Sequence, residues 1–147
     1  MRAANSPLSK PPMQTILLVE DEDSVRQITR YVLENAGYLV LEASCPEQAM
    51  AIFRHFQGTI NLLLTDVVMP TMSGAELAVR LKQMRPGITT MFMSGYAANA
   101  GLQSSFNSSD WYIQKPFSTS TLLSQVAEAL SLPPGTREPG AGLLLPI

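Results

Sequence analysis

The sequence predicts an α/β fold, namely a doubly wound, five-stranded parallel β-sheet with helices on both faces. Five short apolar segments alternate with amphipathic segments along the chain, and this alternation is typical of strands and helices joined by right-handed crossovers. The most apolar segment, residues 61–69, lacks polar alternation, which favours a central strand covered on both faces. The length of 147 residues suits one domain.

Each predicted strand is a short apolar run bounded by polar residues, glycine or proline. Pro70 ends the central strand because proline cannot donate a hydrogen bond to a neighbouring strand. Asp66 therefore lies near the carboxyl end of that strand. The other strands are predicted at residues 15–19, 38–42, 88–93 and 111–113.

The first two helices are predicted from apolar spacing and from their ends. Gly37 is suited to end the first helix. Ser44 and Glu47 have the spacing of a capping box at the start of the second. The side chains expected to face the sheet are Val25, Ile28, Val32 and Leu33 in the first helix and Met50, Phe53 and Phe56 in the second.

The later helices follow the same logic. Ser73 and Glu76 form a second predicted capping box, and Ser118 is the expected cap of the last helix. Residues 97–106 are Ala-rich with weak periodicity, and we expect a helix there. The expected buried positions are Leu77, Leu81 and Met84 in the third helix and Leu122, Leu123, Val126 and Leu130 in the last.

Composition excludes several classes of function. The net charge of −2 gives no basic field for nucleic acid, and no apolar run is long enough to span a bilayer. The single cysteine excludes an internal disulfide, so a cytoplasmic location is expected. We predict a disordered lead or linker at residues 1–13, one domain at 14–131, and a Pro/Gly-rich tail at 132–147.

Charged and hydroxyl side chains follow the predicted strands where parallel strands share one edge. These are the acids of residues 20–23, then Asp66, Ser94 and Lys115. Two like charges 4 Å apart repel by about 4 kcal/mol at an effective dielectric constant of about 20, so the acids require cations. An oxygen-only ligand set favours Mg²⁺ or a similar hard ion. The expected chemistry is transient phosphorylation of Asp66, because a carboxylate beside such an ion can attack a phosphoryl group.

Four segments together resemble the receiver domain of two-component response regulators over roughly residues 14–131. They are residues 18–22, residues 66–74, the Met93–Ala97 segment and the Gln114–Phe117 segment. The sequences of residues 94–97 and 112–117 are most similar to receivers attached to hybrid sensor histidine kinases. The resemblance implies a flavodoxin-like (CheY-like) fold with strand order 2-1-3-4-5. It also implies a cis peptide bond between Lys115 and Pro116.

The resemblance further implies a role for each site residue. Asp66 would be the phosphoacceptor, and Ser94 and Tyr112 would form the switch. Mg²⁺, or Mn²⁺, would be bound by Asp21, Asp66 and the backbone carbonyl of Val68, with Glu20 acting through a water molecule. Ser94 and Lys115 would bind the phosphoryl oxygens. Glu20 and Ser94 stand where aspartate and threonine are common in the family.

The expected partner is a sensor histidine kinase or a histidine phosphotransfer domain, with a phosphorylation-dependent dimer as a further possibility. Direct binding of nucleic acid and insertion of this chain into a membrane are not expected. Val68 and Tyr96 flank the expected phosphoryl position and are poor at orienting water, so self-dephosphorylation should be slow. One alternative is a non-phosphorylated docking module with the same fold. An aspartyl-phosphate hydrolase is disfavoured because Val68 occupies the position of its second acid.

Overall fold

A computed structural model of the protein describes residues 13–95 and 110–131. Five parallel strands form one sheet in the order β2-β1-β3-β4-β5, so the expected strand order is confirmed. The strands are β1 (Thr15–Val19), β2 (Leu39–Ala43), β3 (Leu62–Asp66), β4 (Thr89–Ser94) and β5 (Trp111–Gln114). The described helices are α1 (Asp23–Asn35), α2 (Pro46–His55), α3 (Gly74–Met84) and α4 (Thr119–Ser131).

The central strands β1 and β3 are buried along their full length, as their unbroken apolar sequences predict. Side chains alternate between the two faces of the sheet. In β1, Leu17 and Val19 join a core cluster with residues of α2 and α3, whereas Ile16 and Leu18 join a cluster with residues of α1 and α4. The sheet therefore has a hydrophobic core on each face, so polar functional side chains are expected at its edges.

Two positions expected in the core are exposed. In α1, Ile28 is 65% exposed, and the buried residues are Thr29 and Leu33. Neighbouring helix positions differ by about 100° in direction, so the side that carries Thr29 and Leu33 turns Ile28 towards solvent. Met84 is 43% exposed. It is the last residue of α3, and Leu77, Ala78 and Leu81 already fill the contact with the sheet.

Two of the three serine caps are confirmed. Ser73 and Ser118 accept hydrogen bonds from backbone N–H groups three residues later, both at 3.1 Å. The predicted capping box at Ser44 is wrong, because α2 begins at Pro46 and its N-cap is Cys45, which makes no side-chain capping bond. Ser44 lies one residue too early, and its N–H donates to the side chain of Gln48 instead.

The end of α1 depends on Gly37, as expected. Its φ angle is +104°, a conformation that glycine adopts without the penalty of a side chain. The N–H groups of Gly37 and Tyr38 donate to the carbonyls of Glu34 and Leu33, which is the hydrogen-bond pattern of a Schellman motif. This turn sends the chain directly into β2, beside β1.

Some predictions lie outside the described residues. They are the helix over 97–106, Tyr96, and nearly all of the lead and the tail. The boundaries proposed for the lead, the domain and the tail stay predictions. Among the helices that the structure describes, none has the length and apolar character needed to cross a membrane.

Candidate functional site

The carboxyl edge of the sheet brings together side chains from three strands. Glu20 directly follows β1, Asp66 is the last residue of β3, and Lys115 directly follows β5. The Nζ atom of Lys115 lies 2.7 Å from Oε1 of Glu20 and 2.9 Å from Oδ1 of Asp66. Although these residues are far apart in sequence, one ammonium group joins two carboxylates across the edge.

The two carboxylates are almost inaccessible to water. Glu20 is 1% exposed and Asp66 is 7% exposed. The second oxygen of Glu20, Oε2, accepts a hydrogen bond of 3.1 Å from the N–H of Glu22. The side chain of Glu20 is therefore held on one side by the backbone of its own loop and on the other by Lys115.

Burial and the neighbouring acid control protonation at this edge. Burial, together with the hydrogen bond to Glu20, raises the pKa of Asp66 to about 8, although Lys115 acts in the opposite direction. Burial also acts to raise the pKa of Glu20, but hydrogen bonds to Asp66, Lys115 and the Glu22 N–H outweigh it and lower that pKa. Without a further cation, the two acids therefore share a proton near neutral pH.

The donor set fits a hard divalent cation. Carboxylate oxygens of Glu20, Asp21 and Asp66 lie within 4.8 Å of one another. Asp21 is exposed, whereas the other two are buried, so the cluster opens to solvent on the side of Asp21. Three carboxylates and one ammonium leave an excess of negative charge, and oxygen ligands suit Mg²⁺. These residues could hold Mg²⁺ or Mn²⁺.

Ser94 is the last residue of β4, the strand next to β3, and Tyr112 lies on β5, the strand beyond it. Ser94 is 2% exposed, and its carbonyl accepts a hydrogen bond of 2.8 Å from the N–H of Lys115. Tyr112 is half-buried and packs against the core cluster shared with α2 and α3. Val68, two residues after Asp66, is 62% exposed. The peptide bond between Lys115 and Pro116 is cis, as the resemblance implied.

The close approach of α3 fixes the backbone of Asp66, which the sequence analysis did not foresee. The N–H of Gly74 donates to the carbonyl of Val67 at 2.7 Å. A Cβ atom at position 74 would lie 1.9 Å from the carbonyl oxygen of Asp66, which is far inside van der Waals contact. The glycine at the start of α3, directly after the Ser73 cap, was the feature of the sequence that could have indicated this close approach.

Arg26 was also missed. Its Nη1 atom donates to the backbone carbonyl of Glu20 at 2.9 Å, and its other nitrogens contact Asp23 and Glu42. The three-residue spacing of Asp23 and Arg26 indicated an ion pair on one helix face. The contact with the carbonyl of Glu20 had no signature in the sequence.

The sequence matches one protein family and is similar to individual members of it. A family model for the response regulator receiver domain matches residues 16–127. The chain is 38% identical over 117 residues to the sensor kinase CckA of Brucella abortus, which covers 79% of this chain and 12% of that protein. It is 37% identical over 119 residues to the response regulator receiver protein CpdR of the same organism, covering 80% of this chain and 98% of CpdR.

Solved structures agree with this result. The receiver domain of the hybrid histidine kinase CckA superposes with a TM-score of 0.66 at 33% identity, covering 79% of this chain and 98% of that chain. The response regulator TrrA of Thermotoga maritima, solved in complex with Mg(2+)-BeF, gives a TM-score of 0.68 at 28% identity. It covers 80% of this chain and 100% of that chain.

The raised pKa of Asp66 predicts a pH-dependent stability of the metal-free protein. An acid whose pKa is higher in the folded state binds its proton more tightly there, so the free energy of unfolding falls as the pH rises from about 4 to about 8. Asp66→Asn removes this loss and should be more stable than the wild type by about 1–3 kcal/mol at about pH 8. The gain should be smaller at about pH 5.

Urea unfolding in EDTA at both pH values measures this difference. Glu128→Gln, which changes an exposed carboxylate on α4, serves as the matched control and should show little change at either pH. An equal gain for Asp66→Asn at both pH values would show that Asp66 does not hold a proton in the folded state.

Proposed function

Because this chain belongs to the response regulator receiver domain family, we propose that it is the phosphoacceptor domain of a two-component phosphorelay, phosphorylated on Asp66. The observation that carries the proposal is the ammonium of Lys115 placed between the buried carboxylates of Glu20 and Asp66. A structural role alone does not require two buried acids beside one partly buried lysine, because burying charge is costly. A site that receives a phosphoryl group uses such a positive charge to hold the phosphoryl oxygens.

The proposed reaction is a transfer from phosphohistidine to carboxylate. An oxygen of Asp66 attacks phosphorus, the phosphorus–oxygen bond forms, and the phosphorus–nitrogen bond breaks. The imidazole nitrogen of the donor keeps the electron pair of the broken bond and takes a proton from solvent. Ionised Asp66 is the nucleophile, so the raised pKa of Asp66 has to be offset by added positive charge before transfer.

We propose that Mg²⁺, or Mn²⁺, supplies that charge. Asp21, Asp66 and the backbone carbonyl of Val68 would bind the ion, and Glu20 would act through a water molecule. When bound, such an ion neutralises the carboxylates and the incoming phosphoryl oxygens. The cluster of carboxylate oxygens supports this proposal, as does the presence of Mg²⁺ in the related TrrA structure.

Lys115 and Ser94 would hold the phosphoryl group once it is on Asp66. The ammonium already contacts the oxygen of Asp66, and phosphorylation adds roughly two negative charges for it to neutralise. The Ser94 hydroxyl would donate to a phosphoryl oxygen, and Tyr112 would turn inward as Ser94 moves. The resulting population shift would change which proteins bind the face formed by β4, β5 and the segment between them.

The proposed phosphodonor is a sensor histidine kinase or a histidine phosphotransfer domain. Ile28 and Tyr31 are 65% and 69% exposed on α1, the helix that begins just after the acidic loop. An apolar surface beside a phosphoacceptor suits a protein donor that has to present its histidine to Asp66. The chain matches only 12% of CckA, so any further activity of a longer protein is outside this proposal. A cytoplasmic location fits such a donor.

Acetyl phosphate tests the acceptor directly, since it needs no protein donor. Incubation with Mg²⁺ should add one phosphoryl group to the wild type, which intact-mass spectrometry detects as a single addition. Asp66→Asn should show none, because an amide is not a nucleophile at this centre. Glu128→Gln should label like the wild type.

Equal labelling of the wild type and Asp66→Asn would reject Asp66 as the acceptor. Failure of the wild type to label, in the presence of saturating Mg²⁺, would instead favour the docking module with the same fold.

Val68 predicts a long lifetime of the phosphorylated form. An exposed apolar side chain two residues from Asp66 cannot orient a water molecule for attack on phosphorus. Val68→Asn provides an amide that can, and it should increase the rate of dephosphorylation severalfold, within the range of general catalytic assistance. Val79→Asn is a matched control, because Val79 is similarly exposed, at 56%, but lies on α3.

The loss of the phosphorylated form after removal of acetyl phosphate measures these rates. Equal rates for the wild type and Val68→Asn, or equal acceleration by Val79→Asn, would contradict the proposal that the side chain at position 68 sets the rate of dephosphorylation.

A further inference from the structure

The guanidinium of Arg26 connects three separate parts of the acidic edge. Its Nη1 atom donates to the backbone carbonyl of Glu20 at 2.9 Å, its Nη2 atom contacts Asp23 at 2.7 Å, and its Nε atom contacts Glu42 on β2 at 3.1 Å. The side chain is 14% exposed. All three of its nitrogens are therefore engaged, although Asp23 itself is exposed to solvent.

These contacts fix the backbone directly before Asp21. The carbonyl of Glu20 belongs to the peptide unit that leads into Asp21, and Arg26 holds that unit against the first turn of α1. The N–H of Glu20 donates to the carbonyl of Ala43 on β2 at 3.1 Å, and Glu42 is the neighbour of Ala43. The acidic loop is thus joined to the end of β2 at two adjacent points, by the backbone bond from Glu20 to Ala43 and by the contact of Arg26 with Glu42.

We propose that Arg26 is a positioning residue for the divalent cation, because it holds the β1–α1 loop so that Glu20 and Asp21 face Asp66. The inference rests on the proposed function, since it concerns the ion bound at that site. The planar guanidinium is needed because it donates in three fixed directions at once. A lysine has the same charge but cannot reach all three acceptors in one geometry.

The direction in which the Mg²⁺ affinity changes when Arg26 is removed distinguishes a positioning role from simple electrostatic repulsion. A positive charge near a cation site repels the cation, so removal of Arg26 on electrostatic grounds should strengthen Mg²⁺ binding. If Arg26 holds the ligands in place, its removal should weaken binding. Groups that orient metal ligands typically contribute 10- to 100-fold to metal affinity.

Calorimetric titration with Mg²⁺ tests the proposal on the wild type, Arg26→Lys, Arg26→Gln and Arg30→Gln. We expect both Arg26 variants to bind Mg²⁺ about tenfold more weakly or worse. Arg30 is the matched control. It lies one turn later on α1 and contacts the carboxylates of Glu34 and Glu42, whereas Arg26 contacts the carbonyl of Glu20. Arg30→Gln should bind Mg²⁺ within about twofold of the wild type, or slightly more tightly.

Each other outcome overturns the inference. Wild-type affinity in Arg26→Lys would show that charge alone matters, and tighter binding by Arg26→Gln would show that Arg26 only repels the ion. Loss of stability in urea unfolding, with unchanged Mg²⁺ affinity of the folded variant, would show a purely structural role. If neither Arg26 variant folds, Glu42→Gln decides the matter, because among the three contacts of Arg26 it changes only that of Nε. Glu42 also contacts Arg30, so the Mg²⁺ affinity of Glu42→Gln is compared with that of Arg30→Gln and should be severalfold weaker.

Failure of the proposed function would look different from failure of this inference. A wild-type protein that binds no Mg²⁺ would remove the metal site and, with it, the role of Arg26. A wild type that binds Mg²⁺, alongside Arg26 variants that bind it equally well, would overturn only the role of Arg26.

Discussion

The contact of one lysine with two buried carboxylates is the constraint on which this site depends. Lys115 carries a single positive charge, whereas Glu20 and Asp66 carry two negative charges when ionised. Burial and the hydrogen bond to Glu20 raise the pKa of Asp66 to about 8, and the single charge of Lys115 does not offset this rise. A buried site with an excess of negative charge suits a bound cation. Under the proposed function, that cation and Lys115 would face the oxygens of the incoming phosphoryl group.

The fold makes this arrangement possible by placing distant residues at one edge. Parallel strands all end on the same side, so the residues after β1, β3 and β5 meet there although 95 positions separate Glu20 from Lys115. The cores on both faces of the sheet hold the strand ends in register. Gly74 allows the start of α3 to approach the carbonyl of Asp66, and Arg26 joins the acidic loop to β2. The strand ends bring the carboxylates together, and short loops set their final positions.

Much of this arrangement could be predicted from the sequence because strand ends are easy to recognise. Unbroken apolar runs located β1 and β3, and the acids at the ends of these runs, Glu20 and Asp66, marked the candidate site. The exposure of Ile28 could not be predicted in the same way. The spacing of apolar residues in α1 is compatible with a buried face that includes Ile28 and also with one that includes Thr29. The polar Thr29 was the less expected core residue, yet it packs beside Leu33.

Contacts that involve backbone atoms were the hardest to foresee. The bond between Arg26 and the Glu20 carbonyl has no preferred residue type at its acceptor, so no motif marks it. The same limit applies to Gly74, whose importance comes from the carbonyl of Asp66 rather than from a turn.

The ion pair of Lys82 with the buried Asp110, at 2.7 Å, joins α3 to the start of β5 and was likewise not predicted. Its partners are 28 positions apart, and only the three-dimensional fold brings them together.

Proton release on Mg²⁺ binding measures the shared proton of the acidic pair most directly. Calorimetry in buffers of different ionisation enthalpy gives the number of protons released per bound ion. With the pKa of Asp66 near 8, binding at about pH 7 should release close to one proton, and release should disappear above about pH 9. Mg²⁺ binding at about pH 7 without proton release would contradict the coupling of Glu20, Asp66 and Lys115 described above.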